Sequence, residues 1–117
     1  MKKPAPSAKF RFRITVGDAI AIGPGKVALL EAIAATGSIS AAAQSLDMSY
    51  RRAWLLLDEM NRMLRAPVAD SARGGAVRGG SEITEVGRQL IETYRRIEAK
   101  AAEACADEIR QLQSLID

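Results

Sequence analysis

Four consecutive residues, Ser49-Tyr50-Arg51-Arg52, all carry side chains that can donate hydrogen bonds to nucleic acid. An arginine can donate two hydrogen bonds to O6 and N7 of guanine, which discriminates that base by about 1–3 kcal/mol. Ser49 can also cap a helix, because its hydroxyl can accept a hydrogen bond from a backbone N–H of the first turn. The run therefore predicts a helix whose exposed start reads bases in a DNA groove.

A second short helix is predicted immediately before this one. Ser38 can cap it, and the small residues Ala42 and Ala43 would let the two helices approach closely. We predict these helices at 38–46 and 49–65, joined by a tight turn. This is the helix-turn-helix arrangement, whose second helix enters the major groove. Two amphipathic helices of an ordinary small bundle would give the same spacing, so a purely structural role stays open.

A glycine-rich segment flanked by Arg73 and Arg78 follows Pro67. Residues 68–72 and 81–84 on either side of it are typical of the two strands of a hairpin. Glycines allow the backbone to approach DNA closely, and arginines supply charge to the phosphates. The segment therefore predicts a wing beside the helix pair, with a solvated loop as the alternative.

Several kinds of catalytic and metal site are excluded by residue types alone. The chain has no histidine and one cysteine, so it has no Ser-His-Asp triad, Cys-His pair, internal disulfide or histidine-ligated metal. Gly23-Pro24-Gly25-Lys26 ends like a phosphate-binding loop, but Val27 stands where Ser or Thr is needed. Ile20 also stands where that motif has its first glycine. We therefore expect no enzyme, no metal site and no nucleotide site.

The elements that must position these residues are visible in the apolar pattern. Alternation over residues 10–16 predicts a strand with one buried face, followed by a turn at Gly17-Asp18 and a short extended piece over 19–22. A helix is predicted next, and Gly37 can end it in the left-handed conformation. Its apolar stripe consists of Val27, Leu30, Ile33 and Ala34. The expected fold class is mainly α with a small β-sheet.

Residues 85–117 predict one long helix capped by Thr84, about 50 Å in length at 1.5 Å per residue. Because so small a domain cannot cover such a helix, we predict that it pairs with the same helix of a second copy. A helix folded back on its own domain is the alternative. The predicted dimer contacts are Leu90, Tyr94, Ile97, Ala101, Cys105, Ile109 and Leu112. Cys105 is expected to be a small buried hydrophobe rather than a redox sensor.

The 117 residues carry a net charge of +3 that is unevenly distributed. Residues 1–13, which include a predicted mobile arm over 1–9, hold five bases and no acid. Residues 48–81 hold six arginines against three acids, whereas residues 82–117 hold five bases against eight acids. The basic regions suit DNA, and the acidic end would repel it. The lone cysteine and the lack of a long apolar run suit a cytoplasmic protein, associated with the nucleoid if it binds DNA.

The motif residues resemble the N-terminal domain of the ModE family of molybdate-responsive transcription regulators. The resemblance is carried by Ser38-Ile39-Ser40, Met48-Ser49-Tyr50-Arg51-Arg52-Ala53-Trp54 and Asp58-Glu59-Met60-Asn61. It extends from about Phe10 to about Ala101, and the first helices are also similar to the broader LysR-type winged helix-turn-helix. It implies dimers that bind palindromic operators and a strand before the first helix that joins the wing sheet.

The resemblance also implies roles for individual residues. It assigns DNA contacts at the start of the second helix to Ser49, Tyr50, Arg51 and Arg52. It assigns further contacts on the preceding helix to Ser38, Ser40 and Gln44. It assigns wing contacts to Arg73 and Arg78, and a core position to Trp54.

The resemblance further implies an effector that this chain is not expected to bind. ModE regulators carry molybdate-binding domains after this module, whereas the sequence ends at Asp117, so we expect no molybdate site and no cofactor. The expected division is an arm over 1–9, a winged helix-turn-helix over 10–84 and a dimerisation helix over 85–117. The alternative function is a protein-interaction module that keeps the fold and binds another regulator through its long helix.

Overall fold

The computed structural model of the chain describes residues 3–71 and 81–117. Its elements are β1 (Ile14–Val16), β2 (Ala19–Ile22), α1 (Pro24–Thr36), α2 (Ile39–Ser45), α3 (Tyr50–Met63), β3 (Ala69–Ser71), β4 (Ser81–Ile83), α4 (Glu85–Ala104) and α5 (Ala106–Gln113). The predicted class, mainly α with a small amount of β-sheet, is confirmed. Within these residues, no helix is both long and apolar enough to cross a membrane.

Helices α1, α2 and α3 enclose the core, and local signals in the sequence set their ends. The Ser38 hydroxyl accepts a hydrogen bond from Ala41 N at 2.9 Å, and the Ser49 hydroxyl accepts one from Arg52 N at 3.1 Å. Gly37 has a φ of 74°, the left-handed conformation in which glycine commonly ends a helix. These three predicted helix ends are confirmed.

The buried face of α1 agrees closely with its predicted apolar stripe. Ala34 is the exception, because it is exposed although the stripe of α1 includes it. Helix α3 ends at Met63, two residues before the predicted end and well before Pro67. The core is built from Leu29, Leu30, Ile33, Ile39, Ala42, Ala43, Ala53, Leu57, Met60, Val68, Ala69 and Ile83.

The strands form two separate antiparallel pairs in the described part of the chain, β1 with β2 and β3 with β4. The expectation that the strand before the first helix joins the wing sheet is therefore wrong. The reason is local: Gly17, with a φ of 60°, permits a tight turn that pairs Val16 with Ala19. The strand before the first helix is thus paired within its own hairpin, and not with the wing strands β3 and β4.

The first strand is shorter and more exposed than its alternating pattern predicts. It begins at Ile14, and none of its three residues is buried. Phe10 and Phe12, which precede the strand, are half-buried, and Phe12 stacks on Tyr94 of α4 with ring centroids 4.3 Å apart. Tyr94 Oη also donates a hydrogen bond to the Phe12 carbonyl at 2.9 Å. The aromatic pair, rather than a buried strand face, attaches this segment to α4.

The C-terminal segment forms two helices rather than one. Helix α4 ends at Ala104, and Cys105, with φ −105° and ψ 16°, interrupts the regular backbone before α5. Cys105 is exposed in the single chain, so its predicted burial would require the second copy. Beyond the break, Gln113 Nε2 donates a hydrogen bond to the Pro6 carbonyl at 3.3 Å, which links α5 to the N-terminal arm.

Candidate nucleic-acid interface

The turn between α2 and α3 holds these two helices in the helix-turn-helix arrangement. Leu46 N donates to the carbonyls of Ala42 and Ala43, and Met48 N donates to the Ala43 carbonyl at 3.0 Å. Asp47 between them has a φ of 55°, a left-handed conformation that aspartate adopts more readily than most residues. The turn directs the start of α3 outward while Ala53 behind it stays fully buried.

All four residues at the start of α3 that were predicted to contact DNA are exposed. Tyr50 is 55% exposed, and within the described residues neither Arg51 nor Arg52 forms an ion pair. Ser49 is exposed as well, but its hydroxyl oxygen already accepts the capping hydrogen bond. The arginine side chains therefore remain available to an external acceptor, which is what reading a base edge requires.

The predicted contacts on the preceding helix divide into two kinds. Ser40 and Gln44 are exposed on α2, where they can reach a ligand. Ser38 is half-buried and its hydroxyl caps α2, so its main observed role is structural. Arg73 and Arg78 lie outside the described residues. The base of the predicted hairpin is formed by β3 and β4, in which Ala69 pairs with Ile83 and Asp70 pairs with Glu82.

The expectation that Trp54 belongs to the core is wrong. The residue is 46% exposed. The buried stripe of α3 runs through Ala53, Leu57 and Met60, and each successive helical residue is rotated by about 100° around the axis. Position 54 therefore lies outside the stripe, on the same flank of the helix as Tyr50.

A buried lysine that the sequence analysis did not assign to the site holds α3 in position. Lys26 of α1 is 4% exposed, and its Nζ donates to the Ile20 carbonyl and to Glu59 Oε1 of α3. The hydrogen bond and the charge of Lys26 lower the pKa of the Glu59 carboxyl. The sequence did contain a signal for the burial of Lys26. It lies three and four residues before the buried Leu29 and Leu30, which places it on the core side of α1. Lys26 thus joins the first hairpin, α1 and α3.

A second ion-pair cluster fixes α4 against α1. Arg95 donates to Glu31 of α1 through Nε at 2.9 Å and to Glu98 of its own helix through Nη1 at 2.7 Å. The hydrogen bond from Arg95 lowers the pKa of the Glu31 carboxyl, although burial acts in the opposite direction. The guanidinium carbon also lies 5.7 Å from the ring centre of Tyr94. These contacts set the direction in which α4 leaves the helix-turn-helix.

Acid is expected to destabilise the fold through Glu31 and Glu59. Both carboxyls have lowered pKa values in the folded chain, so their stabilising effect is present above the ordinary value of 4.5 and is lost as pH falls through the folded value. Urea unfolding should therefore show a lower midpoint at about pH 3 than at about pH 7. The double variant Glu31→Gln with Glu59→Gln should lose less over the same interval. An equal loss in both proteins would contradict this assignment.

The predicted dimer contacts occupy different environments. Tyr94 is only 2% exposed and packs within its own chain, where burial raises the pKa of its hydroxyl. Leu90 is half-buried against the core. Ile97 and Leu112 are 43% and 65% exposed, Cys105 is exposed, and Ala101 and Ile109 are half-buried.

An open groove of about 410 Å³ lies between the first hairpin and α4, and its lining is mainly apolar. Ile14, Val86 and Ile97 border it, each of them more than a third exposed. Within the described residues, no group of three or more Cys, Asp or Glu side chains is arranged to hold a metal ion. The notable surfaces are thus the start of α3 and this apolar groove.

Curated relatives match more than two thirds of the chain. The chain is 48% identical over 81 residues to the molybdenum-pterin-binding protein MopB of Rhodobacter capsulatus, covering 69% of this chain and 30% of that protein. It is 35% identical over 88 residues to the DNA-binding transcriptional dual regulator ModE of Escherichia coli K12, covering 73% and 34% respectively. The chain is ModE-like. The resemblance inferred from its residues is confirmed over a segment that spans between 30% and 34% of these relatives' own length.

Two solved structures have a fold similar to that of this ModE-like chain. The CbnR_DBD–DNA complex matches with a TM-score of 0.57 and 23% identity, covering 75% of this chain and 94% of that one. VV2_1132, a LysR family transcriptional regulator, matches with a TM-score of 0.53 and 14% identity, covering 71% and 27%. No protein-family model matches the chain. The winged helix-turn-helix of LysR type is therefore the fold of this ModE-like chain.

Proposed function

We propose that this chain is a sequence-specific DNA-binding transcriptional regulator that acts by binding rather than by catalysis. The observation that carries the proposal is the exposed start of α3, where Arg51 and Arg52 form no ion pair within the described residues. The ModE of Escherichia coli, whose name describes a DNA-binding regulator, supports it. Such a protein would act in the cytoplasm, at the nucleoid.

In the helix-turn-helix, some side chains would contact base edges and others would contact phosphates. Arg51 and Arg52 would donate paired hydrogen bonds to guanine in the major groove, and Tyr50 would contact a neighbouring base or phosphate. Ser40 and Gln44 on α2 would donate to the phosphate backbone, which sets register without reading sequence. Ser38 and Ser49 would contribute mainly by holding the two helix starts in shape.

The wing would add contacts to the flanking backbone. Arg73 and Arg78 have the charge to neutralise phosphates, and the glycines around them allow close approach. The described part of the hairpin supports this arrangement, because β3 and β4 are paired from Ala69 to Ser71. A wing of this kind raises affinity and makes it depend on salt.

A second copy of the chain would cover the apolar groove beside α4. Ile14 and Ile97 are 49% and 43% exposed there, and contiguous exposed apolar surface usually marks a contact site. Pairing through α4 about a two-fold axis would present two copies of α3 to successive major grooves, about 34 Å apart. The operator would then be palindromic, since the symmetry of the site follows that of the protein.

Selection from a pool of random duplexes by the purified chain tests this function. We expect enrichment of a palindrome whose half-site centres are about 10 base pairs apart, with affinity that falls steeply as salt rises. Recovery of no consensus at moderate salt would contradict the proposal. Capture of a protein partner in a pull-down, with no DNA consensus, would favour an interaction module. The exposed Leu112 and Leu115 would contribute to that interaction.

Sedimentation of the same protein tests the pairing. Ile97→Asp is expected to shift the chain from dimer to monomer, because it introduces a charge into the apolar contact. Val16→Asp is the matched control, since Val16 is 66% exposed on β1 but does not line the groove. An unchanged mass for Ile97→Asp would exclude this face as the dimer contact.

A further inference from the structure

Trp54 stands out because it is exposed on the element that carries the proposed base contacts. It is the only tryptophan in the chain, and the residue is 46% exposed. Tryptophan gains more from burial than almost any other side chain, so leaving it in water has a cost. Its exposed surface is therefore available to a partner of α3.

The neighbours of Trp54 indicate the chemistry of that partner. Tyr50 lies four residues earlier on the same flank of α3 and is 55% exposed. Arg51 and Arg52 share the exposed start of the helix, and its first acidic residue is Asp58, one turn beyond Trp54. A surface that combines two cations with two aromatic rings fits a polyanion that also presents apolar groups. DNA is such a partner, and this surface is continuous with the residues proposed to read it.

We propose that Trp54 contacts the C5-methyl group of a thymine in the major groove and thereby sets part of the sequence preference. The inference rests on the proposed function and extends it by one specificity residue and one base. The C5-methyl of thymine is the distinctive apolar group on a base edge in the major groove. The polar residues at the start of α3 would read guanine and adenine edges, whereas Trp54 in the next turn would read thymine.

The fluorescence of Trp54 tests the contact without any substitution. Because the chain has one tryptophan, emission excited selectively in tryptophan reports on this position alone. The probe is a duplex recovered by selection on the purified chain, with binding followed independently by the anisotropy of a dye on the DNA. We expect the emission of Trp54 to change in intensity and shift to shorter wavelength as the duplex binds, because water leaves the ring.

Replacement of thymine by deoxyuracil tests which group is read, since it removes the methyl alone. Uracil at the contacted position should weaken binding about fourfold, the effect of losing one buried methyl group. Trp54→Ala should weaken binding of the thymine duplex by about tenfold and abolish the further effect of uracil at that position. A role limited to supporting the fold would leave the uracil effect intact in the variant.

The outcomes separate this inference from the function on which it rests. Anisotropy that shows binding with no change in Trp54 emission would overturn the inference and leave the function standing. A change in emission with no uracil effect at any position would overturn thymine reading. If no duplex binds at all, both fail. Leu115→Ala is the matched control, because it removes an 80% exposed apolar side chain outside α3 and should leave DNA binding unchanged.

Discussion

Removal of both guanidinium groups at the start of α3 is expected to remove most of the sequence preference. Arg51→Ala and Arg52→Ala should each lower affinity for the selected duplex by about 1–3 kcal/mol, and the double variant should keep only the smaller preference that Trp54 provides. The reason is that both side chains are exposed and form no ion pair within the described residues. Binding isotherms on the two duplexes over a range of salt concentrations measure this.

Two further variants distinguish base reading from simple charge. Arg62→Ala is the matched control on the same helix, because Arg62 is exposed but pairs with Asp58 at 3.0 Å; it should leave preference unchanged. Arg51→Lys keeps the charge but loses the planar pair of donors, so preference should fall more than the dependence on salt does. If the double alanine variant prefers the selected duplex as strongly as the unsubstituted chain does, α3 does not read bases through these arginines.

Gly87→Ala is expected to cause the largest loss of stability of any alanine substitution at a described glycine. A Cβ at position 87 would overlap the Val68 carbonyl oxygen and would lie 2.8 Å from Ile83 Cγ2. The carbonyl belongs to backbone that cannot rotate away, since it accepts a hydrogen bond from Thr84 N at 3.0 Å. We expect a loss of about 3 kcal/mol in the free energy of unfolding, at the upper end of overpacking effects.

Gly25→Ala provides the matched control for this substitution. Position 25 lies within α1, a Cβ added there would meet no other atom within 4 Å, and its φ is not positive. Alanine there should be neutral or stabilise the chain by up to about 1 kcal/mol, because it favours the helix. Thermal unfolding of both variants checks the pair. Equal stabilities would mean that α4 does not pack closely on Val68.

The close approach at Gly87 depends on a junction whose parts are far apart in the sequence. Thr84 Oγ1 accepts the capping hydrogen bond from Gly87 N at 3.1 Å and donates to the Pro67 carbonyl at 2.7 Å. Asn61 of α3 accepts from Val68 N at 2.8 Å. The end of α3, the wing hairpin and the start of α4 are thus joined through one short stretch of backbone. Loss of that packing should loosen the wing and α4 together.

The sequence by itself determined the features that depend on close neighbours along the chain. Ser38, Ser49 and Thr84 were identified as helix caps, and Gly37 as a helix end, because each acts on backbone within about one turn of itself. The polar run at the start of α3, which is proposed to read bases, was identified for the same reason, since a cap and polar residues occur together there. The apolar stripe of α1 followed from helical periodicity, apart from the exposed Ala34.

Only the tertiary structure decided the features that depend on which elements cover one another. Tyr94 bonds to Phe12 across 82 positions, and Lys26 to Glu59 across 33, separations at which no periodic pattern links two residues. Trp54 has the composition of a core residue, yet it is exposed because no other described element packs over its flank of α3. Burial is a property of the assembled helices and hairpins, whereas helix ends are a property of the local backbone, and this difference set the limit of what the sequence could determine.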